Sequence, residues 1–148
     1  MVEINGITFA YNKGAGNILE DISFSIQENQ CIAILGNNGA GKSTLLKCMD
    51  RICPAQKGMV MVAGRDIYKM GKNMMAQNIA YVPQNNETIN MSVFDAILLG
   101  RKPYIKWDAA AKDQQIVWEI MQKMQLEDFA LRNVWELSGG EQQRVGIA

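Results

Sequence analysis

Histidine is absent from this chain of 148 residues. The commonest general base and metal ligand of proteins is therefore missing, and any chemistry here runs without an imidazole. Net charge is missing too: 15 Lys and Arg balance 15 Asp and Glu. A neutral chain argues against wholesale electrostatic capture of nucleic acid, which needs a broadly basic surface, but it leaves room for a local basic patch. No apolar run approaches the roughly 18 residues of a membrane span. The first six residues lack the basic segment and apolar stretch of a secretory leader, so a cytoplasmic protein is expected. Cysteine is scarce. Cys31 sits in an apolar run, and Cys48 and Cys53 lie in or at the end of a predicted helix. Their spacing is neither C-x-x-C nor a zinc pattern, so inert, reduced thiols are expected. The remainder is ordinary for a globular domain, 48% hydrophobic and 20% charged, with enough chain for one core.

Hydrophobic patterning orders the chain. Residues 2–10 alternate loosely, as an antiparallel strand does, and a polar turn follows at residues 12–17. Residues 21–26 alternate again. Cys31-Ile32-Ala33-Ile34-Leu35 is a continuous apolar run, the pattern of a strand buried on both faces. Leu45, Leu46, Met49 and Ile52 fall at helical spacing, predicting a helix over 42–52 that Pro54 ends. Residues 58–62 read as a strand, 63–66 as a turn and 72–77 as a short helix. Residues 79–82 read as a second buried strand stopped by Pro83, and residues 85–88 as a loop. From Ser92 to Asp128 the pattern is helical throughout. Ser92 and Asp95 form a capping box, and the longest helix is expected over 107–124 with Asp108 as its cap. A sheet region, 1–84, thus precedes a helical region, 85–148.

Between the apolar run and the first helix stands Gly36-Asn37-Asn38-Gly39-Ala40-Gly41-Lys42-Ser43, a full match to G-x-x-x-x-G-K-[ST] in the strand–loop–helix context that motif requires. A triphosphate presents closely spaced negative oxygens. Backbone N–H groups of a glycine-rich turn can point at them together when no side chains intervene, and the positive end of the helix dipole adds to the attraction. In this pattern Lys42 reaches the β- and γ-phosphates, Ser43 ligates Mg²⁺ through its hydroxyl, and Thr44 helps hold the phosphate near the helix start.

A second string, Leu137-Ser138-Gly139-Gly140-Glu141, reads on its own as a helix start, with Ser138 as cap and Glu141 completing a capping box. Two glycines in a first turn cost roughly 1 kcal/mol each against alanine. A close backbone approach to a ligand, phosphate above all, is a reason to keep them. Both strings, in this order, resemble those of the ATP-binding subunits of ATP-binding-cassette (ABC) transporters. The resemblance covers essentially the whole chain. It implies an α/β fold, a P-loop NTPase core with an antiparallel β subdomain and a helical subdomain. It implies that Tyr11 stacks on adenine, that residues 36–44 hold ATP, and that Gln84 touches Mg²⁺ or the attacking water. It also implies that Ser138, Gly139, Gly140 and Glu141 close over a nucleotide held by a second subunit arranged head to tail. The implied partners are that second cassette and integral membrane permease subunits, with no nucleic acid, and the implied place is the inner face of the cell membrane. The stretch from Ser92 to Tyr104 resembles importers of iron chelates, haem or cobalamin.

The sequence departs from that family in one large respect. No apolar run ending in Asp-Glu follows the second string, and the switch histidine has no counterpart. In the family these supply the Mg²⁺-positioning aspartate, the glutamate that polarises water and the γ-phosphate sensor. The resemblance therefore implies a cassette truncated at its C-terminus, with apolar sheet faces or edges left exposed, that binds nucleotide but does not hydrolyse it at a useful rate. Two other readings stay open: a soluble ABC ATPase of DNA or ribosome maintenance, and a non-catalytic nucleotide-binding module.

Overall fold

The computed structural model describes residues 1–12, 14, 16–84 and 90–148. They form two compact units, Met1–Ala80 and Tyr81–Ala148. Gln84 lies in the second unit. The expected loop at residues 85–88 and two positions of the turn at 12–17 lie outside the described residues.

The first unit is built on a four-stranded antiparallel sheet. Strands β1 (Val2–Phe9), β2 (Leu19–Ile26), β3 (Lys57–Val62) and β4 (Arg65–Asp66) stand in the order β2-β1-β3-β4. Ile4 pairs with Phe24 on one side and Val60 on the other, and Ile7 pairs with Ile22. One sheet face is thus continuously apolar. Helix α1 (Lys42–Met49) covers it with Leu45 and Cys48, three positions apart on one side of the helix. Ile4, Ile7, Val60, Ile67 and Cys48 are fully buried. Burial, with the neighbouring Cys53 thiol second, pushes the Cys48 thiol up to about 11, so it stays protonated.

One contact fixes the register of β1 against β3. Gly58 has φ 91°, and a Cβ there would overlap the Gly6 carbonyl group. The pairing slips between Asn5 and Thr8 at this crossing, so the two backbones touch where the ladder is interrupted.

Several expectations are corrected. Residues 31–35 and 79–82 run without ladder partners among the described residues, and neither is a buried strand. Leu35 is 89% exposed and Cys31 is exposed. An apolar run buries itself only when neighbouring strands flank it, and none of the four strands does. The first helix ends at Met49, well before Pro54. Arg51 takes φ 53°, which closes the helix, and its guanidinium donates to the carbonyls of Ile67 and Met70 at 2.9 and 3.1 Å.

The second unit packs α3 (Val93–Gly100), α4 (Ala111–Met124) and α5 (Gly139–Ile147) around Val93, Ile97, Val117, Met121, Leu126, Val134, Leu137 and Val145. A further short helix, α2 (Lys72–Ala76), belongs to the first unit. Ser92 caps α3 as expected, its hydroxyl accepting the Asp95 amide at 3.1 Å. The helical region is not continuous. Residues 105–110 are irregular, α4 starts at Ala111, and Asp108 accepts the adjacent Ala109 amide instead of capping the helix. Asp113 takes over the start of α4. One of its oxygens accepts the Ala110 amide at 3.2 Å, and the other pairs with Arg101 at 3.0 Å.

The Gly6–Gly58 crossing makes a direct test of the register. Gly58→Ala is expected to cost about 2–3 kcal/mol of stability, from steric overlap plus a strained φ. Gly71→Ala is expected to be near neutral, since Gly71 has φ −64° and open space around it. Urea midpoints of the two variants measure the difference.

Candidate functional site

The glycine-rich loop enters α1 through a wall made by β2. Gly41, the residue before the helix, has φ 88° and no side-chain cap. A Cβ at Gly41 would meet Leu19 Cδ2 at 3.0 Å, Ile18 Cγ2 at 3.1 Å and the Ile18 carbonyl oxygen at 3.2 Å. The helix therefore starts pressed against the beginning of β2, and only glycine fits the contact. The Ile18 amide donates to the Phe9 carbonyl at 2.8 Å, which ties that wall to β1.

Within the loop, the Ala40 amide donates to the Asn37 carbonyl at 3.2 Å and the Leu45 amide to the Gly41 carbonyl at 2.8 Å. The amides of Gly39, Gly41, Lys42, Ser43 and Thr44 find no acceptor among the described residues. Five consecutive or near-consecutive donors at the start of a helix form an anion-binding concavity. Lys42 adds a full positive charge. Its ammonium donates to the Gly36 and Asn37 carbonyls, both at 2.8 Å, and so lies across the same loop. The Ser43 side chain is exposed at the mouth, where a hydroxyl ligand for a phosphate-bound Mg²⁺ belongs. The donor set thus fits a polyphosphate with its metal.

Tyr11 is brought to this place. Its hydroxyl lies 3.2 Å from Thr44 Oγ1, and its ring meets Phe9 edge-on at 5.0 Å while remaining 56% exposed. Thr44 is buried, so its amide, not its side chain, is what it offers to a ligand. Two supporting features have no signal in the sequence. Ile18 and Leu19 form the wall behind Gly41, and the Gln56 amide group donates to the Ala10 carbonyl at 3.2 Å, anchoring the chain just before Tyr11. No pattern marks either, because both depend on the β1–β2 and β1–β3 pairings.

The second unit holds the remaining candidates. Ser138 caps α5 and is locked to Glu141. The Ser138 amide and hydroxyl donate to the Glu141 carboxylate at 2.8 and 2.7 Å, and the hydroxyl accepts the Glu141 amide at 3.4 Å. The two Ser138 hydrogen bonds hold the Glu141 carboxyl below the usual carboxylate range. Gly139 and Gly140 are exposed in the first turn. Gln84, also exposed, lines with Gly139, Gln142, Gln143 and Ile147 a cleft of about 650 Å³. Gln84 and the α5 start therefore share one opening of this unit.

The family model described as "ABC transporter" matches residues 19–148. The chain belongs to the ABC transporter family. An uncharacterized ABC transporter ATP-binding protein of Methanocaldococcus jannaschii is 43% identical to this cassette over 148 residues, all of this chain and 58% of that protein. A manganese transport system ATP-binding protein of Listeria innocua is 36% identical over 99% of this chain and 60% of its own length. A cobalamin import ATP-binding protein of Halobacterium salinarum is 36% identical over 88% of this chain and 33% of its own. The cassette thus spans less than two thirds of the length of these relatives. Among solved structures, a dimeric ATP-binding cassette in a post-hydrolysis state with ADP and Pi superposes with TM-score 0.83 at 24% identity, covering 99% of this chain and 67% of that one. The fold is that of an ABC ATPase, an α/β P-loop NTPase.

The Ser138–Glu141 lock gives a pH test. A carboxyl held low by hydrogen bonds stabilises the helix start above its unfolded pKa, and that contribution is lost as pH falls through the lower folded value. In an NMR titration the Glu141 side chain is expected to titrate below an ordinary glutamate, and Ser138→Ala is expected to return it upward.

Proposed function

We propose that this cassette is the nucleotide-binding part of the ATP-binding subunit of an ABC importer, which couples ATP binding and hydrolysis to transport. The observation that carries the reading is the set of amides at Gly39, Gly41, Lys42, Ser43 and Thr44, which have no acceptor among the described residues, beside the Lys42 ammonium. Asn37, Asn38 and Ala40 complete the loop. Tyr11, standing at the same helix start, supplies an aromatic face for adenine. Ser43 and Gln84 are the proposed Mg²⁺ contacts, and the bound cation would neutralise charge on the β- and γ-phosphates.

In this reading two cassettes meet head to tail around ATP. The loop of one holds the phosphates. Ser138, Gly139, Gly140 and Glu141 of the other present a hydroxyl and helix-start amides to the γ-phosphate. The face around Ser138 to Glu141 gains these contacts only while the γ-phosphate is there, so ATP favours the closed pair and hydrolysis releases it. Gln84 and the helices after it would pass that change to membrane-embedded permease subunits, with the cassette peripheral on the cytoplasmic side. No helix of the described residues is long and apolar enough to cross a membrane. The cargo proposed is a metal-bearing solute. Relatives named for manganese transport and cobalamin import support that class. Of the three cargoes the sequence resemblance implied, only cobalamin occurs among these names, and iron does not. The loop supplies phosphate donors and Ser43 a hydroxyl ligand for the metal, and nucleotide binding without steady-state turnover is proposed for these 148 residues.

Calorimetric titration with Mg·ATP tests the reading. Lys42→Ala is expected to weaken binding at least about tenfold, the worth of a charge-assisted hydrogen bond. Ser138→Ala is expected to leave that affinity unchanged while abolishing ATP-dependent dimerisation in light scattering, with a stability cost of about 1 kcal/mol. Unaltered binding by Lys42→Ala would remove the loop from the account.

A further inference from the structure

The segment between α3 and α4 carries a surface that nucleotide binding does not use. It reads Arg101-Lys102-Pro103-Tyr104-Ile105-Lys106-Trp107-Asp108. Trp107 is 99% exposed, and Tyr104 is 49% exposed. A tryptophan side chain this open buries none of its large apolar surface in the protein's own core. Lys102 and Lys106 flank these rings and are themselves exposed, as is Lys112 at the start of α4. Arg101 stacks over the Tyr104 ring, 4.2 Å from its centroid, and pairs with Asp113. These contacts hold the aromatic segment to both helices. Asp108 is spent locally on the Ala109 amide. In a chain with no net charge, the cations therefore outnumber the carboxylates on this segment and stand beside its most exposed aromatic ring.

Aromatic rings with a polar edge, set among lysines, match the composition of a membrane–water interface. The rings settle at headgroup depth, and each lysine near an anionic surface adds attraction. Lysines can also extend their charged ends to the headgroups while their stems lie along apolar surface. We propose that residues 101–107 dock on an anionic lipid surface, with Trp107 inserted at the interface and Lys102 and Lys106 facing lipid phosphates. The charge complementarity favours an anionic lipid surface, because exposed Lys102 and Lys106 alternate along the segment with the exposed rings of Tyr104 and Trp107. The inference is independent of the phosphate loop and of any permease.

The test uses the purified protein with vesicles of phosphatidylglycerol and phosphatidylcholine, against vesicles of phosphatidylcholine alone. A variant with Trp118→Phe and Trp135→Phe leaves Trp107 as the only tryptophan. Its emission is expected to shift to the blue with anionic vesicles and to be quenched by brominated acyl chains. Trp107→Ser, and separately Lys102→Gln with Lys106→Gln, are expected to lower co-sedimentation about tenfold or more, given the usual attraction per lysine at an anionic surface. All these positions are exposed, and unchanged circular dichroism and Mg·ATP affinity confirm that the variants fold. The proposal is overturned if the parent protein ignores anionic vesicles, if it binds neutral vesicles equally, or if the variants sediment like the parent. It is equally overturned if Trp107 responds only to a purified membrane protein in detergent and never to lipid.

Discussion

The structure depends on how closely α1 can begin against β2. Unpaired helix-start amides make an anion site only when they converge, and here convergence is enforced from behind. The Gly41 Cα leaves no room for a side chain between itself and Ile18 and Leu19. Ile18 is held by its amide to Phe9, and β1 is held in register by the Gly6–Gly58 crossing. The phosphate loop is therefore positioned by the antiparallel sheet and not by its own sequence alone. Lys42 then spans the loop through the Gly36 and Asn37 carbonyls, so the residue with the full positive charge also braces the turn.

At the start of α5 one serine carries two readings. Its hydroxyl caps the helix and is tied to Glu141, which accounts for a well-started helix without any ligand. The exposed Gly139 and Gly140 are not explained by capping, because glycine weakens a first turn. A cap orients the first-turn amides outward, and glycine leaves them accessible. Structural cap and proposed γ-phosphate contact are thus compatible uses of the same turn, and the lowered Glu141 carboxyl reports the first of them.

How much the sequence revealed follows from the range of the interactions. The loop, the Ser92 cap and the Ser138–Glu141 box are local patterns a few residues long, and all were legible. So were β1 and β2, from their alternation, and β3. The apolar runs at 31–35 and 79–82 misled because burial of a strand is a property of its neighbours. Without a flanking ladder, Leu35 stands in solvent. The end of α1 was misplaced because Arg51 finds its acceptors at Ile67 and Met70, which no helical periodicity reveals. The start of α4 was misplaced because Asp113, bonded to both Ala110 and Arg101, outcompetes Asp108. The wall behind Gly41 was invisible for the same reason: it is made by residues far away in the chain.

The central claim is that the amides from Gly39 to Thr44 grip a polyphosphate. Amide chemical shifts recorded during titration with pyrophosphate and Mg²⁺ test it most directly, because no adenine contributes. The account expects the largest downfield shifts at Gly39, Gly41, Lys42, Ser43 and Thr44, with the sheet and the second unit little changed. Shifts spread evenly over lysine-rich surface, with those five amides unmoved, would contradict it.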